Sequence, residues 1–412
     1  MPYGVVGSFT GMVMPYLARR AGIEVEDIGW FVTLLFVPTF FQFIYAPVVD
    51  FWMRRKHWLV TVATVGALCQ FGAYQMSLPD HLVPFLIFAF AAQAISGLVG
   101  ACNGGLLATT IPDDKRGKAG AWYNIGNLSG GGVSGALAIY MTGHGYSPVL
   151  VGGVLAAMMI LPSLAILVID EPAPDREGSF LQALRVVIRE AWSILDNRAG
   201  LTGLLLCLSP VGTAALANYF SAIAEDFVKP GLTDQLAKLD TEAAKALLDQ
   251  KVSDLLAFVS GPVGQILTAV GAGIGGFLCD RANRRAMYLV SGGLTAVCGI
   301  ALAFAPHTEL SFTVGALVYA LITGFCYASF TATVLETIGD EKQAASTRYS
   351  MFVAAGNAAI AYVGLVNTRF HADHGSSGVI ASDAILNFGG VVILGMVFWR
   401  LGLFRRKPTA SA

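Results

Sequence analysis

The sequence predicts an all-helical membrane protein of twelve transmembrane helices in two pseudo-symmetric six-helix bundles. Three observations predict it. Of the 412 residues 55% are hydrophobic and only 13% charged, about half the charge of a soluble domain, and the mean hydropathy is +0.64. The apolar residues fall in runs long enough to cross a bilayer, separated by short charged clusters. A charged loop recurs in the second half of the chain. The formal net charge of −1 gives no footing for nucleic acid. The cysteines (Cys69, Cys102, Cys207, Cys279, Cys298 and Cys326) sit in or beside apolar runs without a C-x-x-C pair. They read as small buried residues rather than as a disulfide or metal framework.

The first run, 2–18, precedes Arg19 and Arg20, whereas a signal peptide puts its positive charges first; it reads as a first transmembrane helix. Further spans fall at 28–49, 57–77, 83–110, 119–141, 148–169, 200–224, 256–279, 287–305, 311–336, 348–367 and 384–403. With both termini inside, most of the 26 basic residues lie in cytoplasmic segments, as the positive-inside rule requires. Lys229, Lys238, Lys245 and Lys251 share one longer outer segment, where the rule weakens. These boundaries predict an N-terminal bundle over 1–170, a cytoplasmic linker over 171–199 and a C-terminal bundle over 200–412. In the linker, Phe180, Leu181, Leu184, Val187, Ile188 and Trp192 recur at helical spacing, the pattern of an amphipathic helix on a membrane surface. An external insert at 229–255 alternates leucines with charges and reads as one or two helices, either capping the outer mouth or forming a solvated linker.

The two halves carry matching residues. A-P-V-V-D-F-W-M-R-R, with Asp50, Arg54 and Arg55, follows the second span. G-F-L-C-D-R-A-N-R-R, with Asp280, Arg281, Arg284 and Arg285, follows the eighth at an offset of 230 residues. Gly126 and Asn127 in span five match Gly356 and Asn357 in span eleven at the same offset. A carboxylate at a helix end beside paired arginines fits a gate that locks the inner side when it closes. Charges at the membrane boundary are costly unless paired. Topology enforcement is the alternative use of the arginines.

The repeated G-x-x-x-D-R-x-x-R-R pattern resembles the signature of the major facilitator superfamily, whose twelve-helix transporters carry nested repeats. F-F-Q-F-I-Y-A-P-V-V-D (40–50), the segment entering span five (115–131) and A-A-S-T-R-Y-S-M-F-V-A-A-G-N (344–357) are similar to the AmpG-type muropeptide permeases and acetyl-CoA transporters. Gln42 stands where that branch often has Lys, Tyr45 where it has Trp, and Asn357 where it has Arg. Two positive groups for an anionic substrate are therefore missing. The resemblance implies a symporter in a bacterial inner membrane, carrying a muropeptide-like or acyl-CoA-like solute.

Polar side chains inside a membrane face the bundle interior. The candidate substrate residues are Gln42, Gln93, Asn103, Tyr123, Asn124, Asn127, Asn218, Tyr219, Gln265, Tyr327, Arg348, Tyr349 and Asn357. For each, an interhelical hydrogen bond is the alternative. Amides and phenols among aromatics suit a neutral or amphipathic solute. Arg348, at the inner end of span eleven, could meet an anion or snorkel to the cytoplasm. No acid lies at the centre of a predicted span, so the proton-coupling candidates are the terminal acids Glu336 and Asp226. Gly271, Gly273 and Gly276 spell G-x-G-x-x-G inside an apolar helix, with none of the strand that a dinucleotide site needs; they read as packing glycines. His371, Asp373 and His374 read as a solvated outer loop, not a metal site. No catalytic constellation, cofactor or metal is predicted. The reading is a monomeric, ion-coupled transporter of a small or medium organic solute, with the proton as coupling ion and the bilayer as its only other partner. A lipid-linked substrate flippase and a non-transporting sensor or scaffold are the alternatives.

Overall fold

Proline, glycine and amide residues break the long apolar runs into shorter helices. In a computed structural model of the chain, the described residues are 1–50, 53–110, 116–171, 198–338 and 345–403, with Leu181, Gln182, Leu184, Arg185, Ile188, Arg189, Trp192 and Asp196 of the linker. Span one is α1 (Pro2–Ser8) and α2 (Met14–Arg20), joined by a π-turn over Phe9–Val13. Span two is α3 (Val25–Phe40), α4 (Gln42–Tyr45) and a 3-10 turn over Ala46–Asp50. Pro38 sits in the last turn of α3, and the chain bends at Phe41; the Tyr45 hydroxyl donates to the Pro38 carbonyl at 3.1 Å. Then come α5 (Arg55–Tyr74), α6 (Leu82–Thr110), α7 (Arg116–Gly143) and α8 (Pro148–Leu164). The Ser147 hydroxyl caps α8 by accepting the Leu150 N–H.

The second half holds α9 (Arg198–Leu208), a 3-10 turn over Ala215–Tyr219, α10 (Phe220–Leu236), α11 (Thr241–Ser260) and α12 (Pro262–Arg281). After these come α13 (Arg284–Ala303), α14 (Glu309–Ile338) and α15 (Ala345–Arg400). Gly375, at φ +61°, breaks α15 into spans eleven and twelve. Asp240 and Asn283 cap α11 and α13 through the Ala243 and Ala286 N–H groups.

Three features differ from the sequence expectation. Segment 229–255 is no separate insert: α10 and α11 run through it and continue the seventh and eighth spans, turning at 237–240. Span seven is interrupted over 209–214, with Gly212 at φ +65° and Ala214 at φ +54°. His371, Asp373, His374 and Asp383, placed in an outer loop by hydropathy, are helical. In the linker, the described Leu181, Ile188 and Trp192 are helical and exposed, leaving their apolar groups unpartnered by protein.

The exterior is apolar. Phe304 is 87% and Trp399 75% exposed, which fits lipid rather than water. Among the described residues, seven helical stretches are both long and apolar enough to cross a membrane. Spans one, three, five and seven are not among them; a π-turn interrupts span one and a helix break span seven.

The core is unevenly shared between the halves. Its largest cluster joins Phe9, Val13, Ile28 and Phe85 of the first half to Phe220, Phe227, Leu256 and Phe312 of the second. Nearer the chain termini the buried clusters separate. One gathers Val49, Leu59, Val62 and Leu106; the other gathers Leu206, Tyr288, Met351 and Phe398. The halves are thus packed together at the end away from the termini, the distal end, and have separate cores at the terminal end.

Candidate functional site

Small residues along α1, α7 and α14 leave room between the halves. The space is a cavity of about 370 Å³, lined on one side by α1, the π-turn, α3, α6 and α7. The 209–219 segment, α10, α11, α12, α14 and α15 line the other. Gly4, Gly7, Gly11, Gly131, Gly132, Ala214, Ala217, Ala316 and Ala320 supply much of the wall. Close approach is required at Gly11, where a Cβ would come within 2.5 Å of the Asn218 amide oxygen. Set into this wall are Gln93, Asn127, Asn218, Gln265, Tyr319 and Tyr327, with Ser8, Ser260, Thr213, Thr268 and Thr323. No Asp, Glu, Lys, Arg or His is among the described lining residues.

The polar groups differ in how they are occupied. Gln93, on α6, is buried, and its amide oxygen accepts the Thr10 hydroxyl at 3.0 Å. Gln265 donates to the Ser260 carbonyl at 3.5 Å, across the break between α11 and α12. The Asn127 amide oxygen is buried and has no protein partner. A buried acceptor left open in a cavity wall is a place for a ligand donor.

Five of the thirteen sequence-derived substrate candidates line the cavity: Gln93, Asn127, Asn218, Gln265 and Tyr327. Four others sit elsewhere. Gln42 lies at the α3–α4 bend against Gly97 and Gly100 of α6. Asn103 donates to the Val99 carbonyl of its own helix at 3.0 Å. Tyr219 is buried, donating to the Gly364 carbonyl at 2.7 Å and meeting the Thr368 hydroxyl at 2.8 Å. Asn357 is half-buried on α15, outside the cavity lining. The side chains of Tyr123, Asn124, Arg348 and Tyr349 lie outside the described residues, as do those of Asp50, Asp280 and Glu336.

Among the loop arginines, Arg54 and Arg284 stand at the starts of α5 and α13, in matching positions. Arg281 stacks on the Phe277 ring at 3.4 Å. Arg285 donates to the Leu403 carbonyl at 3.0 Å. The Arg55 and Lys56 N–H groups donate to the buried carboxylate of Glu171 at 2.9 and 3.1 Å. This anion caps the N-terminus of α5, and nothing in the sequence reading singled it out. Asp226 is partly exposed at the distal end, where it accepts a short hydrogen bond from Ser376 and pairs with Arg19 at 3.8 Å. Of the G-x-G-x-x-G glycines only Gly271 packs tightly, against the Leu321 carbonyl of α14; a Cβ at Gly273 or Gly276 would meet nothing within 4 Å.

Sequence reasoning missed two arrangements. The first is a set of acid–base contacts at the distal end, all between the halves. Arg19 pairs with Glu225 at 3.6 Å, Arg20 with Asp249 at 3.0 Å, His144 with Asp254 at 3.6 Å and His371 with Glu26 at 2.7 Å. Arg20 also donates to the Thr142 carbonyl. The Asp-Arg loops sit at the opposite end of the bundle.

The second is a buried polar network around Asp383, fully buried in span twelve. Tyr319 and Asn387 donate to its Oδ2 at 3.3 and 3.2 Å, and Asn367 donates to its Oδ1 at 3.4 Å. The Asn387 amide oxygen accepts the Gly212 N–H at 2.8 Å. The helix break in span seven is therefore held by span twelve, which supplies the partner that the missing turn would have given. The signal was present: Asp383 and Asn387 are four apart and share a helix face, and Ser209-Pro210 followed by Gly212 marks a break.

The sequence profile of the Major Facilitator Superfamily matches residues 2–363. The chain belongs to that family, and family and fold together mark it as an integral membrane transporter. No curated protein matches the sequence. Among solved structures, a mutant of the nucleoside transporter NupG aligns with a TM-score of 0.68 at 17% identity, covering 98% of this chain and 97% of that one. A D-xylose-proton symporter aligns at TM-score 0.63 and 13% identity, covering 95% of each chain. The xylose transporter XylE from E. coli, in a partially occluded inward-open conformation, aligns at TM-score 0.64 and 12% identity over 100% of this chain and 98% of that one. At these identities the likeness establishes the fold.

Proposed function

We propose that the protein is a secondary active transporter that moves a neutral, polar organic solute of sugar or nucleoside size by alternating access, coupled to protons. The observation that carries this reading is the cavity between the halves, whose largely apolar wall carries amides, hydroxyls and phenols and, among the described residues, no charged group, and which holds the open acceptor of Asn127. Its volume of about 370 Å³ falls in the range of small-ligand sites. A charged solute placed there would lose its hydration without gaining a counter-charge. Muropeptides carry carboxylates and acyl-CoAs carry phosphates, so the AmpG-like substrates fit this lining poorly. Hydroxyl-rich, uncharged molecules fit it well. The solved relatives named for nucleoside transport and for xylose–proton symport support the same choice and the proton as coupling ion.

The uneven core supports alternating access. The distal end is closed by shared packing and cross-half ion pairs, while the terminal end has two separate cores. With both termini cytoplasmic, as the Lys/Arg bias favours, this is an inward-facing arrangement. The Asp-Arg loops would then engage in the opposite state. The open cavity, with amides, hydroxyls and phenols set into its wall, counts against the sensor reading, which needs a plugged or wholly apolar centre.

Thermal stabilisation of the purified protein by a solute panel tests the proposal. Neutral nucleosides, pentoses and hexoses are compared with nucleotides, anhydro-muropeptides and acyl-CoAs. A neutral member raises the melting temperature, and Asn127→Ala reduces the rise. Stabilisation by anionic members alone would overturn the proposed substrate class.

A further inference from the structure

We propose that Asp383 is the carboxylate that takes up and releases the coupled proton, that Tyr319 connects it to the solute cavity, and that the break in span seven is the element it controls. The inference rests on the transport reading above and assigns its proton site.

The case begins with burial. Asp383 has no exposed surface and, among the described residues, meets only groups uncharged at neutral pH. These are Tyr319 of α14, Asn367 and Asn387 of its own helix pair, and the backbone N–H of Leu216. The titratable groups facing it are Tyr319, Cys298 of α13 and Tyr219 of the 3-10 turn. None supplies a positive charge. An ionised carboxylate in such a place is costly, and protonation removes the cost.

Two links make this carboxyl more than a strut. Tyr319 both lines the solute cavity and donates to Asp383. A proton can therefore pass through the phenol: the hydroxyl gives its proton to Oδ2 and takes one back from the cavity side, leaving Tyr319 unchanged and Asp383 neutral. Release reverses the same steps when the cavity faces the other way. On its other side, Asp383 holds the Asn387 amide through Oδ2 and through its own carbonyl at 2.9 Å, and Asn387 holds Gly212. The next residues, Thr213, Ala214, Ala217 and Asn218, line the cavity. Protonation turns one acceptor into a donor, changing the hold on Asn387 and Leu216. The proton and the solute thus act on the same broken segment.

Asp383→Asn tests this in proteoliposomes of the full chain, because Asn imitates the protonated acid in shape and neutrality. The probe is the neutral solute giving the largest thermal stabilisation. The expected result has three parts: solute counterflow within about twofold of the unsubstituted protein and independent of pH, loss of accumulation under an imposed proton gradient, and loss of solute-driven proton uptake read by an internal pH dye. Gradient-driven accumulation at the unsubstituted level in Asp383→Asn would overturn the assignment. Loss of counterflow as well, in an Asp383→Asn protein of normal melting temperature, would show a strut and overturn it too. Counterflow without any proton-driven accumulation in the unsubstituted protein would leave transport standing and sink the proton site. Absence of all flux in the unsubstituted protein would refute the transport reading, and this proposal with it.

Discussion

Asn127 concentrates the residue-scale argument. It is conspicuous in the sequence as half of the Gly-Asn repeat, and in the fold as a buried amide oxygen without a partner. One hydrogen bond to a solute hydroxyl contributes about 1–1.5 kcal/mol. Asn127→Ala is therefore expected to raise the Km for solute counterflow about tenfold, with a smaller change in maximal rate; initial rates over a range of solute concentrations check this. Asn103→Ala, whose amide bonds only its own helix, is expected to leave the Km unchanged in the same assay. The contrast also marks how far the sequence reached. Polarity inside an apolar run showed that Gln93, Asn127, Asn218, Gln265 and Tyr327 face the interior. Polarity alone could not separate them from Asn103 and Tyr219, whose bonds stay within the helix packing, or from Gln42, whose buried amide oxygen lies at the α3–α4 bend outside the cavity lining. Asp383 was lost for the opposite reason: with Ser382, Asn387 and Asn367 nearby, it lowered the local hydropathy and pushed the expected start of span twelve past it.

Helix breaks dominate at the scale of the element. A π-turn interrupts span one and a six-residue interruption divides span seven. The two meet at the cavity, where Gly11 faces Asn218. Freed backbone groups at membrane depth need protein partners, and Asn387 is one. Gly212 is the residue that makes the turn. Alanine there pays about 1 kcal/mol for the left-handed conformation, and its Cβ would overlap the Cys326 sulfur. Gly212→Ala should accordingly lower the melting temperature and weaken solute stabilisation together. An unchanged melting curve would show that the break does not depend on this geometry. Pro210 and Gly212 were visible in the sequence, but a twenty-residue hydropathy window averages over an interruption of this length. The segment 229–255, read as one or two helices of an external insert, is helical but belongs to α10 and α11, which carry the seventh and eighth spans beyond the apolar layer; its Asp249 and Asp254 meet Arg20 and His144.

For the whole molecule, the duplicated charged loop made two halves legible before any coordinates. The state of those halves was not, because it depends on contacts between residues hundreds of positions apart. His371 and Glu26 are an example. The distal ion pairs are partly exposed, and each contributes up to about 1 kcal/mol, so together they bias rather than fix the closed distal end. Replacing Arg19 and Arg20 with Ala should increase labelling of an Asn218→Cys protein by an impermeant thiol reagent applied at the distal face, in a background without native cysteines. Equal labelling before and after the replacement would remove the ion pairs from the gating account.

The central claim is that the cavity, uncharged among its described lining residues, carries a neutral solute across the membrane. Counterflow in proteoliposomes tests it most directly, using radiolabelled neutral nucleosides and sugars alongside their phosphorylated or carboxylated counterparts. The account predicts exchange of a neutral member, reduced by Asn127→Ala and competed by its uncharged analogues. Exchange restricted to the anionic members, or unaffected by Asn127→Ala, would contradict it.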